Sequence, residues 1–301
     1  MTRKRMRSLS ARLMAAALAC FVGLAPVARA LDGNVSVQGG RSAVRIGGIP
    51  GGSCTGFIIN FNVIVTAGHC VTDYVKNNGT RSMNVTYTRD GTNFFCISGP
   101  STSAGQCRSS TSLKWATPGT LTTDNPADND LGYILFDSGW QNVTDSDFVG
   151  ITTTTVRAGT SDQAFVYGRG GTVFDANDQR MRRAVTQIES VTASTLITRA
   201  LQDAQGRKLN VWACNGDSGG PNLKFAFNFY WAQGVSSSIS TPAPARCQDL
   251  QSRARYFRFT PRHITAINNA IQIYLTPGRS LCTDMSTIGW TDPGYYWCSF
   301  F

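Results

Sequence analysis

The chain contains, at residues 214–221, the octapeptide Cys214-Asn215-Gly216-Asp217-Ser218-Gly219-Gly220-Pro221. Glycines around Ser218 predict a tight turn that exposes the serine hydroxyl and directs backbone N–H groups toward one point. A second stretch, Val65-Thr66-Ala67-Gly68-His69-Cys70, supplies an imidazole that can take a proton from this hydroxyl. The chain holds only two histidines, so the choice of a base is narrow.

A nucleophilic serine needs a base that accepts its proton and an acidic group that orients the base. We assign Ser218 as the nucleophile and His69 as the general base, in preference to an ordinary turn serine and a core histidine, because both segments occur in one chain. The third member should be a carboxylate at the start of a buried strand. Asp130 fits because an apolar run follows it directly, but Asp124 and Asp128 lie close by.

These segments resemble the nucleophile and histidine motifs of the chymotrypsin/trypsin-like serine proteases. The order His69, Asp130, Ser218 is that of this family, whereas subtilisins and α/β-hydrolases have other orders. The resemblance covers about residues 46–275 and includes Gly168-Arg169-Gly170, which is similar to a glycine turn in the family's second barrel. It implies a serine endopeptidase that acts through an acyl-enzyme.

The resemblance also implies roles for residues around the serine. The N–H groups of Gly216 and Ser218 would form the oxyanion hole, and Asp217 would pair with the N-terminal amine of the activated form. The substrate pocket would contain Trp212, Ala213, Asn215, Ser236 and Ser237. Trp212 stands where a preference for Arg or Lys needs a carboxylate, so we expect that cleavage after these residues is not favoured.

Residues 1–30 are expected to be a secretory signal peptide, with a basic start, an apolar centre and an Ala-Arg-Ala site at its end; an uncleaved anchor is the alternative. This segment carries six of the 28 lysines and arginines and none of the 18 acidic residues, which leaves a net charge of +4 for residues 31–301. So mild a charge argues against a nucleic-acid partner. The alanine-rich leader favours a bacterial protein in the periplasm or outside the cell, without membrane contact after cleavage. The first residue of the active form stays open among Leu31, Val37 and Ile46.

Cysteine usage agrees with export. Cys20 belongs to the leader, so eight of the nine cysteines stay, and an even number in an exported chain predicts four disulfides. The resemblance implies the disulfides Cys54–Cys70 and Cys214–Cys247. The cysteines that remain would then form Cys96–Cys107 and Cys282–Cys298.

Short apolar or alternating segments recur along the chain and predict an all-β protein. One is a hairpin around Asn60-Phe61-Asn62, and another is a period-two face of Phe225, Phe227 and Phe229. With the resemblance, the expected fold is two packed six-stranded antiparallel β-barrels, at about residues 31–145 and 146–275, with a C-terminal helix.

The helix should follow Thr260, which can cap it, with Pro261 at its first position. Its apolar stripe would consist of Ile264, Ile267, Ile271 and Tyr274. His263 lies in this helix and is expected to be a structural or a surface residue.

A disulfide-closed extension, residues 276–301, would follow the protease domain at 31–275. It is expected either to pack on the second barrel or to serve as a ligand-binding or secretion-recognition tail. The protein is expected to be a monomer. Its expected partners are protein or peptide substrates and proteinaceous inhibitors. Nothing in the sequence requires a metal ion or an organic cofactor. Two other function classes stay open, a catalytically silent homologue that binds a partner and an esterase.

Overall fold

The computed structural model describes residues 43–49, 52–71, 84–89, 92–98, 108–109, 114–116, 130–135, 148–168, 182–201, 204–205, 216–240, 253–274 and 281–298. In this part of the chain the strands form two sheets. The first contains β1 (Ala43–Ile49), β2 (Gly52–Asn60), β3 (Val63–Thr66), β4 (Asn84–Arg89), β5 (Thr92–Ser98), β6 (Arg108–Ser109), β7 (Lys114–Ala116) and β8 (Gly132–Leu135).

In the first sheet the strands lie in the order β6-β5-β4-β1-β2-β3-β8-β7, and every pair is antiparallel except β5–β6. The predicted hairpin is confirmed, because β2 pairs with β3 and the side-chain oxygen of Asn60 accepts a hydrogen bond from the N–H of Asn62 at 2.8 Å. All four residues of β3 and of β8 are buried. The catalytic candidates His69 and Asp130 therefore lie next to two neighbouring, rigid strands.

The second sheet contains β9 (Gly150–Thr152), β10 (Gly159–Gly168), β11 (Arg182–Val191), β12 (Thr195–Ala200), β13 (Pro221–Ala226), β14 (Phe229–Ser240), β15 (Arg253–Arg258), β16 (Thr283–Asp284) and β17 (Tyr295–Trp297). Their order is β13-β10-β11-β12-β15-β14-β9-β17-β16, and β13 also pairs with β14. Each of six strands therefore pairs with the next, in the order β13, β10, β11, β12, β15 and β14, and β14 pairs with β13. Strand β9 runs parallel to β14.

The prediction of six strands in each half differs from the eight and nine strands that the described residues form. In the second sheet the addition has a clear source, because β9 pairs with β14 on one side and with β17 on the other. The C-terminal extension thereby supplies two strands to this sheet, and the disulfide Cys282–Cys298 closes it as predicted. Among the described strands of the first sheet, no pairing joins its two ends.

The predicted period-two face of Phe225, Phe227 and Phe229 is wrong. Strand β13 ends at Ala226 and β14 begins at Phe229, so the alternation crosses a two-residue turn. Phe227 and Asn228 have φ values of 54° and 65°, which are typical of the tight turns that match the twist of a hairpin. The three phenylalanine rings are about half exposed at this hairpin.

Helix α1 (Pro261–Tyr274) begins at the predicted proline. Ile264, Ile267 and Ile271 are buried in one hydrophobic core that includes residues of both sheets, and Phe57 of β2 packs edge-on against Phe259. Apolar burial on this scale is the main source of stability for the fold. None of the helices in the described part of the chain has both the length and the apolar character needed to cross a bilayer.

His263 is a buried structural residue of helix α1. Its Nδ1 accepts a hydrogen bond from the N–H of Thr260 at 2.9 Å, and its ring packs nearly perpendicular to the rings of Phe257 and Phe259. Burial, aided by the nearby charge of Arg262, lowers the pKa of His263 to about 4. The imidazole is therefore neutral near pH 7.

This shift predicts a loss of stability in acid. In the unfolded chain the histidine titrates near 6.5, so its contribution is fully present above that pH and disappears as the pH falls toward 4. Between pH 7 and 4.5 we expect it to lower the free energy of unfolding by about 2 kcal/mol. Urea unfolding at both pH values measures the effect. H263N, which keeps an acceptor for Thr260 but does not titrate, should lack this part of the pH dependence, and an equal slope in both proteins would contradict the prediction.

The extension packs on the second sheet, as in the first of the two alternatives for it. Trp231, which is fully buried in β14, contacts the rings of Trp290, Tyr295 and Trp297. The N–H of Thr153 donates to the carbonyl of Gly294 at 2.8 Å. These contacts cover one edge of β9 that would otherwise expose unpaired backbone groups.

Candidate active site

His69 lies on a helical turn at residues 68–71, directly after the buried strand β3. The turn is closed by the N–H of Cys70, which donates to the carbonyl of Ala67 at 3.1 Å, and Cys70 is bonded to Cys54 of β2 as predicted. The side chain of His69 is 44% exposed. A firmly held backbone thus presents an imidazole that solvent and ligands can reach.

Asp130 holds His69 at two points. Its Oδ2 lies 2.8 Å from Nδ1 of His69, and its Oδ1 accepts a hydrogen bond from the backbone N–H of His69 at 2.7 Å. The hydroxyl of Ser237 donates to Oδ2 at 2.6 Å, and the carboxyl residue is only 1% exposed. A buried carboxylate at Nδ1 favours the tautomer with the proton on Nδ1, which leaves the lone pair of Nε2 as a base. The structure brings Asp130 to His69, whereas Asp124 and Asp128 lie outside the described residues.

The loop from Gly216 to Gly220 contains the proposed nucleophile and is called the nucleophile loop. It contacts both the second sheet and the segment that carries His69. Its Ser218 is partly exposed, and the carbonyl of Ser218 accepts a hydrogen bond from the N–H of Thr55 at 2.7 Å. The same carbonyl lies 3.9 Å from Sγ of Cys70, the neighbour of His69 in sequence. The proposed nucleophile and base therefore belong to adjoining segments, although 149 positions separate them in sequence.

Gly219 shows why this loop needs glycine. Its φ is +88°, and a Cβ atom there would lie 2.0 Å from the carbonyl oxygen of Thr55 and 2.2 Å from Oγ1 of Thr66. Both the backbone conformation and the contact exclude a side chain. Because glycine has no side chain, this loop can lie directly on strands β2 and β3 of the first sheet.

The family model for trypsin matches residues 31–257 of the chain. The chain belongs to the trypsin family. It is therefore a serine protease of the chymotrypsin fold, a hydrolase whose substrates are peptides. A search of curated proteins returned no match to the chain.

Asp217 directly precedes Ser218 in this loop. Asp217 is 2% exposed, and its charge adds to burial in raising the pKa of Tyr256, so that Tyr256 stays protonated. The resemblance implies that Asp217 pairs with the N-terminal amine of the activated form. The candidate N-termini Leu31 and Val37 lie outside the described residues, whereas Ile46 lies within strand β1.

The predicted pocket residues are only partly described. Ser236 joins β14 to the nucleophile loop, because its carbonyl accepts from the N–H of Gly219 at 2.6 Å and its N–H donates to the carbonyl of Gly220 at 2.8 Å. Ser236 and Ser237 are both buried, and the hydroxyl of Ser237 holds Asp130, a role that the sequence analysis did not assign to it. Three predicted pocket residues lie outside the described part: Trp212, Ala213 and Asn215.

Two of the four predicted disulfides can be assessed, and both are present, Cys54–Cys70 and Cys282–Cys298. The other predicted pairs, Cys96–Cys107 and Cys214–Cys247, lie outside the residues whose side chains are described. Within the described residues, His69 and the sulfur atoms of Cys54 and Cys70 lie within 4.8 Å of one another. These sulfurs form a disulfide and are not the thiolates that a metal ion requires.

Proposed function

We propose that this chain is a secreted serine endopeptidase that cleaves peptide bonds with Ser218, His69 and Asp130. The observation that supports it most is the buried carboxylate of Asp130, which accepts hydrogen bonds from both the backbone N–H and the ring nitrogen of His69 at 2.7 and 2.8 Å. A carboxylate that only capped a strand would have no need to meet the ring nitrogen. Orientation of an imidazole in this way is what a general base needs.

The proposed reaction has two halves. First, Oγ of Ser218 attacks the substrate carbonyl carbon while Nε2 of His69 takes the hydroxyl proton, and the carbonyl oxygen becomes negatively charged. The tetrahedral intermediate then breaks its C–N bond, and His69 gives the proton to the leaving amine. In the second half, water repeats the sequence on the acyl-enzyme and releases Ser218.

The negative oxygen of the intermediate requires donors that are already in place. We assign these donors to the N–H groups of Gly216 and Ser218. The peptide that carries the N–H of Ser218 is held by a hydrogen bond from the N–H of Gly220 to the carbonyl of Asp217 at 2.9 Å. Gly216 has a φ of 91°, a conformation that favours glycine.

A fluorophosphonate probe tests this function directly. The purified protein should react once, with the label on Ser218, and should release fragments from a protein substrate. A catalytically silent homologue would take no label. An esterase would take the label and hydrolyse esters but leave peptide bonds intact, so the two assays together separate all three functions.

We further propose that the enzyme does not prefer Arg or Lys before the scissile bond, since Trp212 and Ala213 offer no carboxylate at the pocket floor. Sequencing of the fragments from a peptide library measures this preference. Basic residues should show no enrichment at the cleavage position, with S218A protein as the control for contaminating proteases. Strong enrichment of Arg or Lys would contradict the assignment.

Export is part of the proposal. Residues 1–30 would be removed as a signal peptide, the protease domain would occupy residues 31–275, and 276–301 would stay attached as an extension closed by its disulfide. Disulfides persist in oxidising compartments, which supports a periplasmic or extracellular location. N-terminal sequencing of active material identifies the cleavage sites. A sequence that still began at Met1 in active, exported protein would contradict removal of the leader.

A further inference from the structure

Thr55 joins the first sheet to the nucleophile loop through both its backbone and its side chain. This residue of β2 is fully buried. Its N–H donates to the carbonyl of Ser218 at 2.7 Å, and its hydroxyl donates to the carbonyl of Gly216 at 2.9 Å. Its own carbonyl accepts a hydrogen bond from the hydroxyl of Thr66 at 2.7 Å. Two loop carbonyls on either side of Asp217 are thus held by one residue.

With the bond from Gly220 to the carbonyl of Asp217, three consecutive carbonyl groups of the loop each have a donor. The carbonyls of Asp217 and Ser218 accept from backbone N–H groups, which remain when a side chain is substituted. The donor at Gly216 is the hydroxyl of Thr55. Glycine at 216 has wide rotational freedom, so the peptide after it depends on this hydroxyl for its orientation.

We propose that Thr55 is a positioning residue of the active site, whose hydroxyl fixes the Gly216 carbonyl so that the N–H groups of Gly216 and Ser218 converge on one oxygen. This inference rests on the proposed serine protease function. Without the hydroxyl, the Gly216 carbonyl loses the donor that it has among the described residues and turns toward water. The loop then spends less time in the conformation that stabilises the oxyanion, while the binding of the substrate before reaction is little affected.

The test compares T55V with T55S. Valine has nearly the shape of threonine but no donor, whereas serine keeps the hydroxyl. Because removal of one complete oxyanion donor costs about 10²–10³ in turnover, we expect T55V to lower kcat by about 10- to 100-fold with KM changed by less than about threefold. T55S should stay within about threefold of the unchanged enzyme, and so should T186V, which removes a buried threonine hydroxyl from β11.

Rates are expressed per active site after complete titration with the fluorophosphonate, so that misfolded protein does not count. A peptide aldehyde adds a second measurement, because its adduct with Ser218 places an oxygen in the oxyanion hole. Its affinity should fall in T55V by about the same factor as kcat/KM, while the affinity of the matching alcohol should not change. If T55V does not fold, T55A replaces it in the same comparison with T55S.

Equal kcat per active site in T55V, T55S and the unchanged enzyme would overturn the role of Thr55 and leave the proposed function intact. A lower urea midpoint of T55V with an unchanged kcat would do the same, since it would show that the hydroxyl contributes only to stability. Absence of labelling and hydrolysis in the unchanged enzyme would instead reject the proposed function, and the inference with it.

Discussion

Replacement of Ser218 by alanine is expected to lower kcat for peptide hydrolysis by about six orders of magnitude, because it removes the atom that bonds to the substrate. The loop should keep its conformation, since its hydrogen bonds to Thr55 and Ser236, and the bond within it from Gly220 to Asp217, use backbone groups of residues 216–220 and not the hydroxyl of Ser218. Steady-state rates with a fluorogenic peptide and labelling by a fluorophosphonate measure the effect. The urea midpoint should not change.

S190A provides the matched control, since Ser190 is an exposed serine of β11 and the substitution is chemically the same. It should retain full activity and full labelling. If S218A kept more than about a thousandth of the activity, or still took the label at a defined site, the nucleophile would have to be another residue.

The second large effect concerns Asp130. D130N is expected to lower kcat by about 10⁴-fold, which is the effect of replacing the aspartate of a Ser-His-Asp triad by asparagine. The backbone N–H of His69 needs an acceptor at the Oδ1 position, so the amide oxygen of asparagine takes that place. Its NH₂ group then stands at the Oδ2 position and donates to Nδ1 of His69. The ring proton moves to Nε2, where the imidazole can no longer accept a proton from Ser218.

Two neighbouring carboxylates serve as matched controls for D130N. D124N and D128N make the same chemical change within six positions of Asp130 and should stay within about threefold of the unchanged enzyme. Comparison of kcat/KM for the four proteins decides the assignment. A 10⁴-fold loss in either control, together with an active D130N, would transfer the orienting role to that residue.

The histidine and nucleophile segments could be found from the sequence because each is short and local. Asp130 needed a choice among three carboxylates, since nothing local distinguishes a residue that contacts His69 from one that caps a strand. The hydrogen bonds of Asp130 to the backbone N–H and to Nδ1 of His69 make that distinction, and they depend on the packing of β3 beside β8.

Two features could not be predicted, because they depend on contacts between distant segments. The hydroxyl of Ser237 reaches Asp130 across 107 positions, and that of Thr55 reaches Gly216 across 161. The alternation of Phe225, Phe227 and Phe229 was misleading for another reason. A turn in which a phenylalanine has a positive φ gives little signal in the sequence, because turns of this kind usually contain glycine or asparagine at both positions.

The bond from Ser237 to Asp130 has a consequence for the order of events during biosynthesis. Asp130 lies two residues before strand β8, and Ser237 is made more than a hundred residues later. A nascent chain therefore cannot complete the hydrogen-bonded set of His69, Asp130 and Ser237 until the later sheet has been synthesised and has packed on the earlier one. Under the proposed function, turnover therefore requires that the second sheet has packed on the first, with which it shares one hydrophobic core.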